Sequence, residues 1–235
     1  MVAFNIRAPY NMQYDKLFLQ QPMKFIRILS LILLLLLAAC SEPDHPSIAL
    51  YPAIQRGDIA QIERHIKWGA DLNQANPDGS MPLHVAAKAG RWVVVKLLLK
   101  HGADINILDK QKHTPLFYAV MSGRTQVAEM LIKRGATVNI NELLLEAVSN
   151  QIADRDVFEF LMQQGADINY AAENGDAPLH IATKKGYRVI TKLLINNGAN
   201  INAKDAAGHT PLWHAIGHHN RDISALLKRN GAVAE

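Results

Sequence analysis

The 235-residue sequence contains a single cysteine, Cys40, and aromatic residues make up only 6% of it. One cysteine cannot form an intramolecular disulfide bond or a cysteine-based zinc site. The sequence also lacks the Gly-x-Ser-x-Gly, P-loop and Gly-x-Gly-x-x-Gly patterns of nucleophilic catalysis and phosphate binding. We therefore expect no catalytic residues, no metal and no cofactor, and we predict that the protein is not an enzyme.

A strong excess of one charge is also absent. Lys and Arg number 25 and Asp and Glu 21, which gives a net charge of +4 at pH 7. Residues 41–235 contain 21 basic and 20 acidic side chains, so most of the excess lies in the first forty residues. Nucleic-acid binding needs a basic patch, and no basic stripe interleaved with aromatic residues occurs in this sequence. We expect no nucleic-acid partner.

The long hydrophobic run covers residues 28–39 and is almost purely aliphatic. A membrane-spanning helix needs about 20 apolar residues, so the run is too short to span a bilayer comfortably. It has the length of the apolar core of a secretion signal, and Lys24 and Arg27 precede it as the positive segment of such a signal. We predict a signal peptide over residues 23–39, with residues 1–22 as an upstream extension. Translation from Met12 or Met23 is the alternative to translation from Met1.

The run ends at residues 37–40, Leu-Ala-Ala-Cys, which resemble the lipobox of bacterial lipoproteins. The resemblance implies that Cys40 is lipidated and becomes the first residue of the mature protein, since several acyl chains give stable anchoring. Ser41 permits export to the outer membrane in the sorting rule that the resemblance brings with it. We expect residues 40–47 to form an extended tether at the outer membrane, with the rest of the chain in the periplasm or at the cell surface. An ordinary signal peptide and an uncleaved anchor are the alternatives.

The remainder of the sequence is repetitive. A Gly-Ala pair begins at residues 69, 102, 135, 165, 198 and 231, with spacings of 33, 33, 30, 33 and 33 residues, and Asn follows the first five pairs. A second motif keeps the same phase and reads Met-Pro-Leu-His, Thr-Pro-Leu-Phe, Ala-Pro-Leu-His and Thr-Pro-Leu-Trp at residues 81–84, 114–117, 177–180 and 210–213. A fixed period of this length is typical of architectures in which each unit buries its apolar face against its neighbours.

This pattern resembles the ankyrin repeat, which implies an all-α solenoid with two antiparallel helices and a β-hairpin loop in each repeat. The resemblance covers residues 48–235, in repeats at about 48–73, 74–106, 107–139, 140–169, 170–202 and 203–235. The residues support the helices independently. Thr before Pro provides an N-cap and a first-turn residue. Leu116, Ala119 and Val120 share one face of a first helix, which we expect to end near Gly123.

Two departures from the pattern stand out. Met81 replaces the capping Thr in repeat two, which costs about 1 kcal/mol unless Ser80 caps the helix instead. Repeat four lacks about five residues between Asn139 and Ala147, and it gains two around residues 150–156. We predict that its loop is short and leaves a notch in the row of loop tips.

Several of the ten histidines fall within repeat six, at residues 209, 214, 218 and 219. His214 and His218 are four residues apart on a predicted helix, a usable spacing for a metal, but the nearest carboxylate in the sequence is Asp222. We favour a structural role, with metal or small-molecule binding as a weak alternative. The ankyrin resemblance implies that His84 and His180 form hydrogen bonds between loops and neighbouring repeats. Phe117 and Trp213 replace this histidine and are expected to exchange the hydrogen bond for packing.

The resemblance implies binding of another protein through the hairpin tips and the concave face of the first helices. The partner-binding residues expected by position are Pro77, Asp78, Ser80, Lys88, Lys110, Gln111, His113, Met121, Glu173, Asn174, Asp176, Lys184, Lys185, Ala206, Ala207, His209 and His218. We expect a monomeric scaffold that binds another envelope protein. An inhibitor or protector of an enzyme, or a secreted or surface-exposed effector, is the alternative for the same surface.

Overall fold

The computed structural model of the protein describes residues 45–233. The predicted upstream extension, the signal peptide, Cys40 and the first half of the tether lie outside the described residues. No helix in the described region has the length and apolar character needed to cross a membrane.

Twelve helices make up the described region, in six consecutive pairs, and no strand occurs in residues 45–233. They are α1 (Leu50–Arg56), α2 (Ile59–Lys67), α3 (Pro82–Lys88), α4 (Trp92–Lys100), α5 (Pro115–Met121), α6 (Thr125–Lys133), α7 (Ile140–Ser149), α8 (Arg155–Gln163), α9 (Pro178–Lys184), α10 (Arg188–Asn196), α11 (Pro211–Gly217) and α12 (Arg221–Arg229). The expected all-α repeat solenoid is confirmed.

The first helix of a repeat begins at its proline in four of the six repeats. The predicted threonine caps are present: the hydroxyl of Thr114 accepts from the N–H of Phe117, and that of Thr210 from the N–H of Trp213. Met81 provides no side-chain cap. Nδ1 of His84 accepts a hydrogen bond from the N–H of Met81 at 3.3 Å, which satisfies the N-cap residue's own N–H and not the helix N–H that a threonine would cap.

The core runs along the array between the stacked helix pairs. Leu116, Ala119 and Val120 are fully buried on the predicted face of α5, and Val127 and Leu131 are buried on α6. Each pair contributes a few such side chains, and these form one continuous cluster through all six repeats. Stacking therefore provides the burial that a single repeat lacks.

The expected β-hairpin loops are tight turns without strands. We call residues 74–81, 107–114, 170–177 and 203–210 fingers two, three, five and six, after their repeats. Two backbone hydrogen bonds close each turn. In finger two the N–H of Asn76 donates to the carbonyl of Ser80, and the N–H of Gly79 donates to the carbonyl of Asn76. A glycine with positive φ occupies the turn in fingers two, five and six, at Gly79, Gly175 and Gly208.

Repeat four has no finger. Asn139 caps α7 directly, since its side-chain oxygen accepts from the N–H groups of Asn141 and Glu142. The helix therefore begins at Ile140 and extends over ten residues, where the first helices of the other repeats have seven. The missing loop residues are thus replaced by an additional turn of helix and by a gap between fingers three and five.

Candidate functional site

The fingers are held in register by a row of asparagines. The side-chain oxygen of Asn73 accepts a hydrogen bond from the N–H of Asp104 in the next repeat at 2.8 Å. Equivalent bonds join Asn106 to Thr137, Asn141 to Asp167, Asn169 to Asn200, and Asn202 to Val233, at 2.7–3.0 Å. The asparagine of the Gly-Ala-x-x-Asn motif therefore links repeat one to two, two to three, four to five and five to six. Asn139 caps α7 instead, and Asn141 forms the corresponding bond within repeat four.

His84 and His180 connect neighbouring repeats, as the resemblance implied. Nε2 of His84 lies 3.0 Å from the carbonyl oxygen of His113, and Nε2 of His180 lies 3.0 Å from that of Ala203. Nδ1 of each ring accepts from a backbone N–H, so Nε2 carries the proton and donates. Burial lowers the pKa of both histidines, which favours the neutral rings that this arrangement needs.

Fingers three and six, which accept these histidine bonds, are also held from within by a buried aspartate. Oδ1 of Asp109 accepts from the N–H groups of Gln111 and His113, and Oδ2 accepts from the hydroxyl of Tyr118 at 2.5 Å. Burial opposes ionisation of Asp109, but these hydrogen bonds outweigh it and lower its pKa. The turn of finger three therefore closes around a charged carboxylate.

Asp205 has the same role in finger six. Its Oδ1 accepts from the N–H groups of Ala207 and His209, and its Oδ2 lies 2.7 Å from Nε2 of His214. Burial again opposes ionisation, yet hydrogen bonds from His214, the backbone and Lys184 hold the pKa of Asp205 far below its usual range.

The two aromatic replacements in the repeat motif pack as expected. Phe117 stacks on His113 with ring centroids 3.8 Å apart, and Trp213 stacks on His209 at 3.6 Å. Each pair joins the first helix of a repeat to its own finger. The aromatic rings therefore stabilise a finger locally, whereas His84 and His180 link one repeat to the next.

Two of the repeat-six histidines form a cluster with an aspartate, but the sequence spacing pointed to a different set, His214 with His218 and Asp222. Asp205, His209 and His214 place one possible metal-ligand atom each within 4.8 Å of the others. His218 is exposed at the end of α11, and the carboxylate comes from the finger rather than from Asp222. Sequence spacing missed Asp205 because the loop brings it to His214 from nine residues away.

The chemistry of this cluster favours a hydrogen-bond network over a metal site. Asp205 already accepts from two N–H groups and from His214, and the cation of Lys184 lies 3.4 Å from its Oδ2. A metal ion at the same carboxylate is disfavoured by this nearby positive charge. Asp109 forms the same arrangement in finger three with Tyr118 as its partner, so holding a finger is sufficient to explain the aspartate.

The expected partner-binding residues differ in exposure. Eleven are exposed, namely Pro77, Asp78, Lys88, Lys110, Gln111, Glu173, Asn174, Lys185, Ala206, Ala207 and His218, and five are half-buried, namely Ser80, His113, Met121, Lys184 and His209. Asp176 is buried and pairs with Lys184 at 2.5 Å. Lys184 also contacts Asp205, so this pair joins fingers five and six. Asp176 is thus placed within the structure rather than on its surface.

Two exposed lysines at the ends of first helices have side chains that are held by contacts with neighbouring residues. Nζ of Lys88 lies 5.7 Å from the centre of the Tyr118 ring. Nζ of Lys185 donates to the carbonyl of Ser149 at 3.1 Å and lies 5.9 Å from the Tyr187 ring. We call the fingers together with these helix ends the finger face. It presents polar side chains of both signs on a rigid stack.

Comparison with known proteins agrees with this architecture. The family described as Ankyrin repeats (3 copies) matches residues 50–142 and 144–234. No curated protein matches the chain. A chain from the structure of Bd0816 Predatory Endopeptidase from Bdellovibrio bacteriovorus in complex with immunity protein Bd3460 is 29% identical, with a TM-score of 0.61, and the match covers 78% of this chain and 98% of that chain.

Two further solved structures are ankyrin-repeat domains. That of Bcl-3, a member of the IkappaB protein family, is 25% identical with a TM-score of 0.63, covering 81% of this chain and 89% of that chain. That of human ASB11 is 26% identical with a TM-score of 0.62, covering 79% and 85%. The paired helices, the linked fingers and the family match lead to one conclusion: the chain belongs to the ankyrin-repeat family.

Proposed function

We propose that this protein is a non-catalytic, protein-binding scaffold of the bacterial cell envelope. A lipid on Cys40 anchors it in the outer membrane, the repeats face the periplasm, and the finger face binds another envelope protein. The observation that carries the binding proposal is the finger face itself. Asparagine, histidine and aspartate side chains fix the fingers within and between repeats while polar side chains at the tips remain exposed.

Such a surface suits binding because little ordering is needed when a partner arrives. Affinity depends on the entropy lost by side chains and loops as well as on contacts made. Fingers already tied by buried hydrogen bonds lose less freedom than free loops. The mixed charges of the finger face favour a polar interface with a partner of matching charge pattern.

The anchoring proposal is tested by Cys40→Ala in the full chain. We expect the variant to lose metabolic labelling with a radioactive fatty acid and to accumulate as an unprocessed precursor. Ser41→Ala, which leaves the cysteine in place, is the control and should still be labelled. Normal labelling and maturation of Cys40→Ala would exclude the lipoprotein assignment.

The binding face is tested by charge reversal. Lys88→Glu with Lys185→Glu changes two exposed positions at the ends of first helices. Lys96→Glu with Lys192→Glu makes the same charge change at exposed positions of the second helices α4 and α10. We expect co-purification of partners to fall at least tenfold for the first variant and to stay unchanged for the second. Equal retention by both variants would remove the finger face as the binding surface.

A second candidate function is inhibition or protection of an enzyme that the chain binds. The observation that favours it is the similarity to a chain of the Bdellovibrio complex, in which an endopeptidase is bound to an immunity protein. A co-purified partner with hydrolase activity should lose that activity when the chain is added at equimolar concentration. Full activity of the saturated complex would favour the scaffold instead.

A further inference from the structure

The gap left by repeat four lies in the row of fingers, between finger three and finger five. We call this gap the notch. Fingers two and five are each followed directly by another finger, which covers one of their sides. The same side of finger three is open, because repeat four has no finger. The following inference rests on the proposed protein-binding function and specifies what the notch accepts.

A following finger packs closely against the turn glycine of the finger before it. A Cβ atom built on Gly79 would lie 2.5 Å from side-chain atoms of Lys110 in finger three. A Cβ atom built on Gly175 would lie 2.2 Å from the backbone nitrogen of Ala206 in finger six. The Cα–Cβ direction at this turn position therefore points at the next finger. At Gly175 the nearby atoms are backbone, so only glycine leaves room there, whereas at Gly79 the side chain of Lys110 would have to move. Gly208 in finger six has nothing within 4 Å of the same position.

Lys112 holds this turn position in finger three. Its φ of 64° places it in the left-handed region, as for Gly79 and Gly175 at 85° and 78°. A lysine is accommodated there because no finger follows, so its side chain leaves the backbone in the direction of the notch. Lys112 is exposed, and it forms no ion pair within residues 45–233. The notch thus receives a positive charge that is not held in an ion pair.

Apolar side chains beside the notch are also less covered than their counterparts. Val138 is 40% exposed, whereas Leu72 and Ile168 at the same repeat position are 5% and 9% exposed. Phe117 is half-buried where the equivalent His84 and His180 are buried. The missing finger therefore leaves these two apolar side chains partly uncovered.

The contacts between existing fingers indicate which chain geometry the notch accepts. The N–H of Ala206 approaches the carbonyl of Asn174 at 3.4 Å, and Nζ of Lys110 donates to the carbonyl of Pro77 at 3.2 Å. Gln111 has the position of Asn174 in finger three. A tight turn of another protein can therefore contact finger three as finger six contacts finger five.

We propose that the notch is a docking site for an acidic reverse-turn loop of a protein partner. The turn takes the place of the missing finger, its carboxylate pairs with Lys112, and an apolar residue covers Val138 and Phe117. An acidic loop is specified because the side chain of Lys112 leaves its backbone on the side of the gap, and opposite charge both steers and selects the incoming loop.

The test uses a library of random nine-residue loops, each closed by a disulfide bond, selected on the full chain. We expect the enriched loops to contain Asp or Glu next to an apolar residue. Their affinity should fall at least tenfold on Lys112→Glu and also on Lys112→Gly. Lys192→Glu, with the same charge change on α10, is the matched control and should bind as the wild type does.

Lys112→Gly separates binding from folding. Glycine relieves the left-handed strain at this position, so the variant should melt at a higher temperature than the wild type while binding the loops less tightly. A third variant fills the notch. In it, Asn139 is replaced by a copy of residues 107–114, the sequence of finger three, so that a finger precedes α7. It should retain its circular-dichroism spectrum and lose loop binding.

The proposal is overturned if the enriched loops are not acidic, or if they bind Lys112→Glu as tightly as wild type. Equal binding to a folded, notch-filled variant overturns it as well. These results leave the proposed function standing, provided that Lys88→Glu with Lys185→Glu still releases the partner. If Lys88→Glu with Lys185→Glu instead keeps its partner, while the selected loops still bind in the notch, the finger face is excluded as the partner-binding surface and the docking site in the notch stands.

Discussion

At the scale of single residues, two sets of side chains hold the fingers. Fingers two and five precede a histidine, His84 or His180, that donates to the next repeat. Fingers three and six close around an aspartate, Asp109 or Asp205, with a stacked aromatic pair beside it. The second set has a sequence pattern of its own, Asp-x-x-x-His-Thr-Pro-Leu followed by Phe-Tyr or Trp-His. Finger type can thus be read from the sequence once the contacts are known.

Close packing between fingers gives a prediction for two glycines with nearly the same backbone. Gly175→Ala and Gly208→Ala each place a side chain at positive φ, which costs about 1–2 kcal/mol. Only the Gly175 substitution also meets the backbone of the next finger, and overpacking adds about 1–3 kcal/mol. Urea unfolding monitored by circular dichroism should show the larger loss for Gly175→Ala. Equal losses would contradict close packing of fingers five and six.

The buried histidines predict a loss of stability in acid. Burial lowers the pKa of His84, His180 and His214 below 6.5 in the folded chain. In the pH range below 6.5 the unfolded chain therefore binds protons that the folded chain does not, and each histidine removes up to about 1.4 kcal/mol per pH unit. The contribution of these neutral rings to the free energy of unfolding is complete above the pKa of histidine in the unfolded chain. It decreases as the pH falls past that pKa.

Urea unfolding at about pH 7.5 and about pH 5.5 measures this effect. His180→Asn should have a lower free energy of unfolding at the higher pH and a weaker dependence on pH than the wild type. A wild-type stability that stays constant between the two pH values would show that these rings ionise equally well when folded.

At the scale of elements, local sequence predicts helices better than it predicts contacts between helices and loops. The Thr-Pro starts, the buried faces of α5 and α6, and the short loop of repeat four follow from residue order and spacing alone. The Asp205–His214 pair and the Asn141 link do not, because both depend on which residues meet after folding. The positive φ of Lys112 could not be predicted either, since lysine carries no sequence signal for this conformation.

Repeat four gives an element-scale prediction at the start of α7. Asn139→Ala removes the side chain that accepts from the N–H groups of Asn141 and Glu142, and loss of an N-cap costs about 1 kcal/mol. Asn139→Asp keeps an accepting oxygen and should stay within about 0.5 kcal/mol of the wild type. Thermal or urea unfolding compares the two variants. Equal destabilisation by both would show that the cap does not determine where this helix begins.

At the scale of the whole repeat array, each repeat is stabilised by its neighbours, and the last repeat has one neighbour fewer. Trp213 and Ile216 on α11 are 47% and 50% exposed, although the residues at the Ile216 position in repeats two and three, Ala87 and Val120, are fully buried. The finger row is also interrupted at repeat four, while the helix core continues through it. Coupling between the two ends therefore passes through the helix core and the Asn141–Asp167 hydrogen bond at that point, without a contact between fingers.

This interruption predicts where a local destabilisation stops. Leu212→Ala removes a buried side chain from repeat six, which costs about 2–5 kcal/mol, and Leu83→Ala is the matched change in repeat two. Because repeats couple mainly to their neighbours, hydrogen exchange measured by mass spectrometry should accelerate most in α9–α12 for the first variant and in α1–α6 for the second. Uniform acceleration across all helices in either variant would mean that the helix core alone couples the array, and that the missing finger has no effect on how stability is transmitted.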